Sequence, residues 1–360
     1  MFDISTAMQD LHWRYNFNTS EFDFVENNPN QHYEPLLKHV HRPTLVIDIN
    51  LVPASDLERY ATDVLDRASA SMIRFDQIIF DGTQDPVNDY QEKVKILDAF
   101  ANTKGINTYL GLSQFDLRSH KHLKEINYPS WLFVFKKQPL PDCNFGERQY
   151  AFSCLNRNPT FHRLIFYTLI KQAGLLDQFI YTFYDCCPYQ GFKMTAHHYR
   201  NMRGFVSAEL YNHCLDSLSD FPISWSSEQQ GINDHTINHP AYRDTWCNIV
   251  TETSAVVSFT SEKIWKPIAA GQLFMIVGAT GTASWLKQLG FHTFDDEYDL
   301  KHNLSSRLEM IVQRLQERSQ DPQAWYQANR FQIEHNYHWF RSGNVEKNIL
   351  DPLVTQLNQV

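Results

Sequence analysis

The sequence has no Cys-x-x-Cys pair, no Gly-x-x-x-x-Gly-Lys phosphate loop, no Gly-x-Gly-x-x-Gly after its first strand-like run and no His-Glu-x-x-His. These absences argue against ATP hydrolysis on a phosphate loop, dinucleotide-dependent redox chemistry and a protease-type zinc site. No window approaches the ~20 apolar residues that a membrane span needs. Met1 to Glu21 lacks a basic leader followed by an apolar core, so a cytoplasmic chain without a secretion signal is expected. Positive charge is short: 32 Lys and Arg stand against 41 Asp and Glu, for a net charge of −9. That balance makes nucleic acid an unlikely partner. The six cysteines do not read as a disulfide framework, and buried free thiols are expected, the adjacent Cys186 and Cys187 included.

What is present reads as a globular α/β chain. Its 360 residues, 42% hydrophobic and 14% aromatic, suggest two domains. Residues 44–48 and 75–80 are strand-like, and residues 57–65 carry an i, i+3, i+4, i+7, i+8 apolar stripe with Ser55 or Asp56 as its cap. A second helix starts at Asn88 or Asp89, and 108–110 and Trp131 to Phe135 read as further strands. Two prolines and a glycine in 136–147 mark a domain boundary. Beyond it come a strand at 148–155, a helix at 161–173 ended by Gly174, and a strand at 179–184. Residues 186–243 read as an insertion; strand order resumes at 246–250, and helices are expected near 282–289, 304–315 and 323–341. The expected division is residues 1–145 as an acceptor-side α/β domain, 146–322 as a nucleotide-sugar-binding α/β domain, and 323–360 as a helical tail.

Residues 251–278 carry most of the functional signal. A strand-like run ends in Glu252-Thr253-Ser254, a short loop follows, and Ser261-Glu262-Lys263 opens a helix that closes at Gly271 before the apolar strand Leu273 to Val277. A hydroxyl, a carboxylate and an ammonium at a helix start suit a diphosphate, because free backbone N–H groups and the positive helix end both favour an anion. This stretch resembles the α1,3-fucosyltransferases, which carry Glu-Asn-Ser, a gap, Tyr-x-Thr-Glu-Lys, a helix, Gly, and an apolar strand ending in Gly. The matching residues are Glu252, Thr253, Ser254, Phe259, Ser261, Glu262, Lys263, Gly271 and Gly278, with Thr253 in place of Asn, Phe259 of Tyr and Ser261 of Thr. The resemblance implies two Rossmann-like domains in the GT-B arrangement, with a C-terminal helix packing back on the first domain, where Trp339 and Phe340 are candidate contacts. It also implies that this motif binds the base, ribose and diphosphate of a sugar nucleotide.

Transfer of a sugar needs a neutralised leaving group, a deprotonated acceptor and alignment of the two. Lys263, Arg157 and Arg163 are the candidates for the diphosphate, with Asn156 beside them where a strand ends. Glu252 and Glu262 are candidates for ribose or sugar hydroxyls. Asp81 is the first candidate base and Asp85 lies in the same loop, with Asp48 and Asp116 as rivals; each also suits an ordinary turn or cap. No metal is expected: residues 295–297 read as a solvated acidic loop, and His197, His198, His235 and His239 have no ligand spacing. The expected activity is metal-independent, inverting transfer from a nucleoside-diphosphate sugar, fucosyl-like, to a glycan, with the donor as substrate and no cofactor. Two other readings stand beside it: a transferase that modifies DNA bases, and a nucleotide- or glycan-binding protein without catalysis.

Overall fold

The structure, a computed structural model, describes residues 13–16, 21–24, 33–50, 52–83, 90–114, 117–118, 120–140, 142, 145–157, 159–184, 194–223, 237, 239–294 and 303–359; for 13–16 and 21–24 the description is of backbone only. The chain divides into a first unit of residues 1–137 and 343–360 and a second of residues 138–342.

In the first unit, β1 (Trp13–Asn16) and β2 (Glu21–Phe24) form an antiparallel ribbon that extends a parallel sheet of β3 (Thr44–Asp48), β4 (Gln77–Gly82), β5 (Asn107–Leu112) and β6 (Leu123–Asn127), in the order β2-β1-β3-β4-β5-β6. The helices Ala54–Ala70 and Tyr90–Lys104 bury Leu57, Ala61, Val64, Val94, Leu97 and Phe100 against Leu45, Ile47, Ile78 and Leu110. Pro53, rather than Ser55 or Asp56, occupies the N-cap of the first helix, and Asp56 lies in its first turn. The helix Gly343–Asn358 belongs to this unit: Tyr109 Oη donates to the Gln356 carbonyl at 3.4 Å, and Lys136 pairs with Glu346 at 3.2 Å. Trp339 and Phe340 belong instead to the second unit, where Phe340 stacks on Trp265 and Trp339 Nε1 donates to the Leu289 carbonyl.

One expectation fails in its element type. Residues 130–136 are a helix, Ser130–Lys136, entered from Pro129, in which Trp131 and Phe135 stack one turn apart. A short run of aromatic and branched residues satisfies strand and helix patterns alike. The strand nearby is β6, whose Leu-Lys-Glu-Ile-Asn pattern is buried at Leu123, Glu125 and Ile126.

The second unit is a four-stranded, wholly parallel sheet of β7 (Tyr150–Leu155), β8 (Phe179–Thr182), β9 (Thr245–Thr251) and β10 (Leu273–Val277), ordered β10-β9-β7-β8. From β7 the chain steps outward to β8 and later returns on the other side to β9. The strand order therefore reverses between β7 and β9, where α/β sheets open a crevice outside their carboxyl ends. In the first unit the described parallel strands follow sequence order without such a reversal. Arg148 ties the opposite edge, its guanidinium donating to the carbonyls of Tyr242, Thr245 and Gly271. The aromatic tail is two helices, Pro322–Ala328 and Arg330–Arg341, divided at Asn329. Cys154, Cys214 and Cys247 are buried free thiols; Cys143, Cys186 and Cys187 lie outside the described residues.

Candidate functional site

The carboxyl ends of β7 and β9 meet at the reversal. β9 ends at Thr251, and Glu252 continues the pairing by donating its N–H to the Val277 carbonyl at 2.9 Å. Its side chain is fully buried, with its carboxylate accepting from the Ser261 hydroxyl at 2.6 Å and the Ser261 N–H at 3.1 Å. Glu252 thus ties the 253–260 loop shut. The expectation that it grips a sugar gives way to this organising role, because its oxygens reach no solvent. Burial raises its pKa, with the Lys263 charge and the Ser261 hydroxyl opposing.

Ser261 caps the helix Glu262–Ala269 by accepting the Lys263 N–H at 3.3 Å. Lys263 Nζ lies 2.6 Å from Glu262 Oε1, 3.2 Å from Ser261 Oγ and 3.5 Å from Thr253 Oγ1, with 20% of its side chain exposed. Burial alone would raise the Glu262 carboxyl, but Lys263 and Lys266 outweigh it and hold the group at about 2. Ser254 fixes the loop by accepting the N–H groups of Val256 and Val257, and Phe259 is wholly buried.

The helix Phe161–Gln172 brings the second set of groups. Arg163 is 1% exposed, and its guanidinium donates to the carbonyls of Thr251 and Glu252 at 2.9 and 3.2 Å. Arg163 and Lys263 therefore converge on Glu252, from beneath and from the rim. His162 Nε2 lies 2.9 Å from the Glu252 carbonyl. A carbonyl only accepts, so that nitrogen carries the hydrogen. Burial, then the Arg163 charge, pushes the His162 pKa down to about 3. Asn156 is also buried: its amide donates to Cys154 Sγ and the Tyr181 hydroxyl, and it accepts from the Thr251 hydroxyl. It joins β7, β8 and β9 and has no face toward solvent. Arg157, the next residue, is partly exposed at the strand end.

Two cations beside this site escaped the sequence reading. Arg307 is 5% exposed and donates to the Gly278 carbonyl at 2.6 Å, at the end of β10. Its signal was available: it falls on the apolar stripe of its helix, between Leu304 and Leu308. Lys266 is 4% exposed and lies 5.8 Å from the Tyr242 ring centroid. Gly278 keeps the strand ends close, because a Cβ there would stand 3.4 Å from Glu252 Cβ and 3.3 Å from Ile276 Cγ2. Among the described residues around these strand ends, Arg163, Lys263, Lys266 and Arg307 outnumber Glu252 and Glu262, and Lys263 is the most exposed of these cations. Such an excess of positive charge, joined to a helix N-terminus, favours an anionic ligand.

The expected bases lie in the first unit. Asp81 is fully buried at the end of β4, where Oδ1 accepts from the Thr83 hydroxyl at 2.7 Å and the Thr83 N–H at 3.0 Å. Asp85 and Asp116 lie outside the described residues, as do residues 295–297 and His235. Among the described residues, no group of three or more His, Cys, Asp or Glu is placed to hold a metal ion. No helix among them is long and apolar enough to cross a membrane.

No protein-family profile matches the chain, and no curated protein matches it in sequence. Among solved structures it is similar to the DNA-modifying enzyme β-glucosyltransferase, solved with and without its substrate uridine diphosphoglucose. The identity is 9%, the TM-score 0.41, and the alignment covers 88% of this chain and 82% of that one. At that score the likeness carries no weight for either fold or activity.

Proposed function

We propose that the second unit binds the diphosphate of a nucleoside-diphosphate sugar and that the chain is a glycosyltransferase. The observation that supports this is the convergence at the β7/β9 reversal: a helix N-terminus and the Lys263 ammonium at the rim, with the Arg163 and Arg307 guanidinium groups held beneath. Lys263 contacts the phosphates, exchanging its bond to Glu262 for one to the ligand. Arg157 adds a second donor from the end of β7. Arg163 and Arg307 act through their field, since both are spent on backbone carbonyls. This charge stabilises the departing nucleotide in a buried setting, where fixed positive groups act more strongly than in water. The Glu262 carboxylate at the rim takes a ribose or sugar hydroxyl, and the reaction proceeds without a metal by direct, inverting displacement. The acceptor's proton needs a base, for which the sequence offers Asp81 and Asp85.

GDP-fucose is the first donor to try, on the strength of the 252–278 motif, and a glycan the first acceptor. The second reading is transfer to a DNA base. The net charge of −9 weighs against it, and parallel assays with glycan and duplex DNA acceptors separate the two. A protein that only binds nucleotide would release no sugar to water.

The direct test is thermal unfolding with GDP, UDP, CMP and ADP. A bound ligand stabilises by about 2.7 kcal/mol at a hundredfold excess over Kd. One nucleotide raises the melting temperature of the native protein and not that of Lys263→Ala. No shift with any of the four removes the proposal.

A further inference from the structure

The 253–260 loop beside Lys263 carries a feature that the diphosphate reading does not use. The loop buries Ala255, Phe259 and Thr260, yet it turns Val256 and Val257 outward, at 63% and 37% exposure. Among the described residues with large exposed apolar side chains, these two are neighbours in the chain. Their exposure is built in. Ser254 Oγ accepts the Val256 N–H at 3.2 Å and the Val257 N–H at 2.9 Å, which folds 254–257 into a turn. Below the turn, the Ser261 hydroxyl donates to the Glu252 carboxylate at 2.6 Å and ties the two ends of the loop together.

This turn stands next to the anion site. Thr253 Oγ1 lies 3.5 Å from Lys263 Nζ, and Val256 is three residues further along, so its Cα is at most ~11 Å from that of Thr253. Both valine N–H groups are engaged by Ser254, so the turn cannot cradle a phosphate through its backbone there. It offers apolar side chains instead. Their exposure to water is unfavourable, and the apolar face of a bound ligand relieves it. A hexose ring carries hydroxyls that need polar partners, whereas a nucleobase presents a face that needs none. We propose that Val256 and Val257 form an apolar shelf for the nucleobase of the ligand whose diphosphate meets Lys263. The shelf rests on the anion site proposed above and names the part of the ligand that the loop receives.

The test is calorimetric titration of the full chain with inorganic pyrophosphate, ribose 5-phosphate and the mononucleotides GMP, UMP, CMP and AMP. Ribose 5-phosphate has a hydroxyl where each mononucleotide has its base, so the ratio of their affinities isolates the base. The native protein binds at least one mononucleotide about tenfold or more tighter than ribose 5-phosphate. The double variant Val256→Ser, Val257→Ser cuts that ratio to about threefold or less and binds pyrophosphate as the native chain does. Val256→Ile, which stays apolar, keeps the native ratio. Equal affinity of the native protein for ribose 5-phosphate and every mononucleotide, with pyrophosphate bound, overturns the shelf and leaves the anion site standing. So does a native ratio in the double variant, in favour of a contact surface for another protein. Pyrophosphate binding lost in the double variant also overturns it, because the valines then hold the loop for Lys263. Pyrophosphate that fails to bind the native chain removes the anion site, and the shelf with it. Should the double variant fail to fold, Val256→Ser alone carries the same readouts.

Discussion

Lys263 Nζ is held by one carboxylate oxygen and two hydroxyls, the partners that phosphate oxygens replace in the proposed function. Glu262 therefore competes with any anionic ligand. Glu262→Gln should strengthen binding of inorganic pyrophosphate severalfold, read by calorimetry, whereas Lys263→Ala should weaken it by at least tenfold, about 1.4 kcal/mol. Equal affinities in the two variants would separate Lys263 from ligand binding. Ser261 serves the fold more than the ligand. Ser261→Ala removes a helix cap, worth about 1 kcal/mol, and takes a donor from a buried carboxylate, worth a further ~1–3 kcal/mol. Urea unfolding should report a loss of that order. His162 gives the pH dependence. Its folded pKa of about 3 lies below the ordinary 6.5, so its contribution to stability is present above 6.5 and is lost as pH falls toward 3. Across that window it adds a slope of up to about 1.4 kcal/mol per pH unit. His162→Gln should flatten it, and an unchanged acid limb would contradict the neutral assignment.

At the scale of elements, the parts that sequence pattern made legible are those with one dominant period. Leu273 to Val277 is a fully buried parallel strand, and the stripe at residues 57–65 is a helix face. The 251–278 motif delivered the cap, the lysine and the loop. What it left hidden was direction. Asn156, Arg163 and Glu252 look like ligand-facing groups in sequence, yet each is spent on the backbone or on a neighbouring side chain. A polar residue at a strand end either greets a ligand or ties the end down, and only tertiary contacts separate the two. Residues 130–136 misled for a related reason, since seven residues carry too few repeats to fix a period. Gly290 sets the joint between the helices Thr282–Gln288 and Arg330–Arg341. Its φ is +92°, and a Cβ there would meet Trp339 Nε1 at 2.8 Å. Gly290→Ala should cost about 1–3 kcal/mol of unfolding free energy, and native stability in that variant would show that the joint relaxes freely.

At the scale of the whole molecule, the chain crosses from its first unit to its second and returns for its last helix. Gly343–Asn358 buries Val345, Ile349, Leu350, Leu353 and Leu357. Each such side chain is worth about 1.5–3 kcal/mol, so removing residues 343–360 exceeds what a domain of this size can lose. Hydrogen exchange on the truncated chain should show β3 to β6 unprotected and β7 to β10 still protected; equal protection of both sheets would mean that the units do not fold as divided here. The second sheet, with its reversal between β7 and β9, carries the functional claim. Calorimetric titration of inorganic pyrophosphate into the native protein and into Lys263→Ala tests that claim most directly. The account predicts saturable binding to the native chain that weakens at least tenfold, about 1.4 kcal/mol, in the variant; native-like binding by the variant, or none by either, would contradict it.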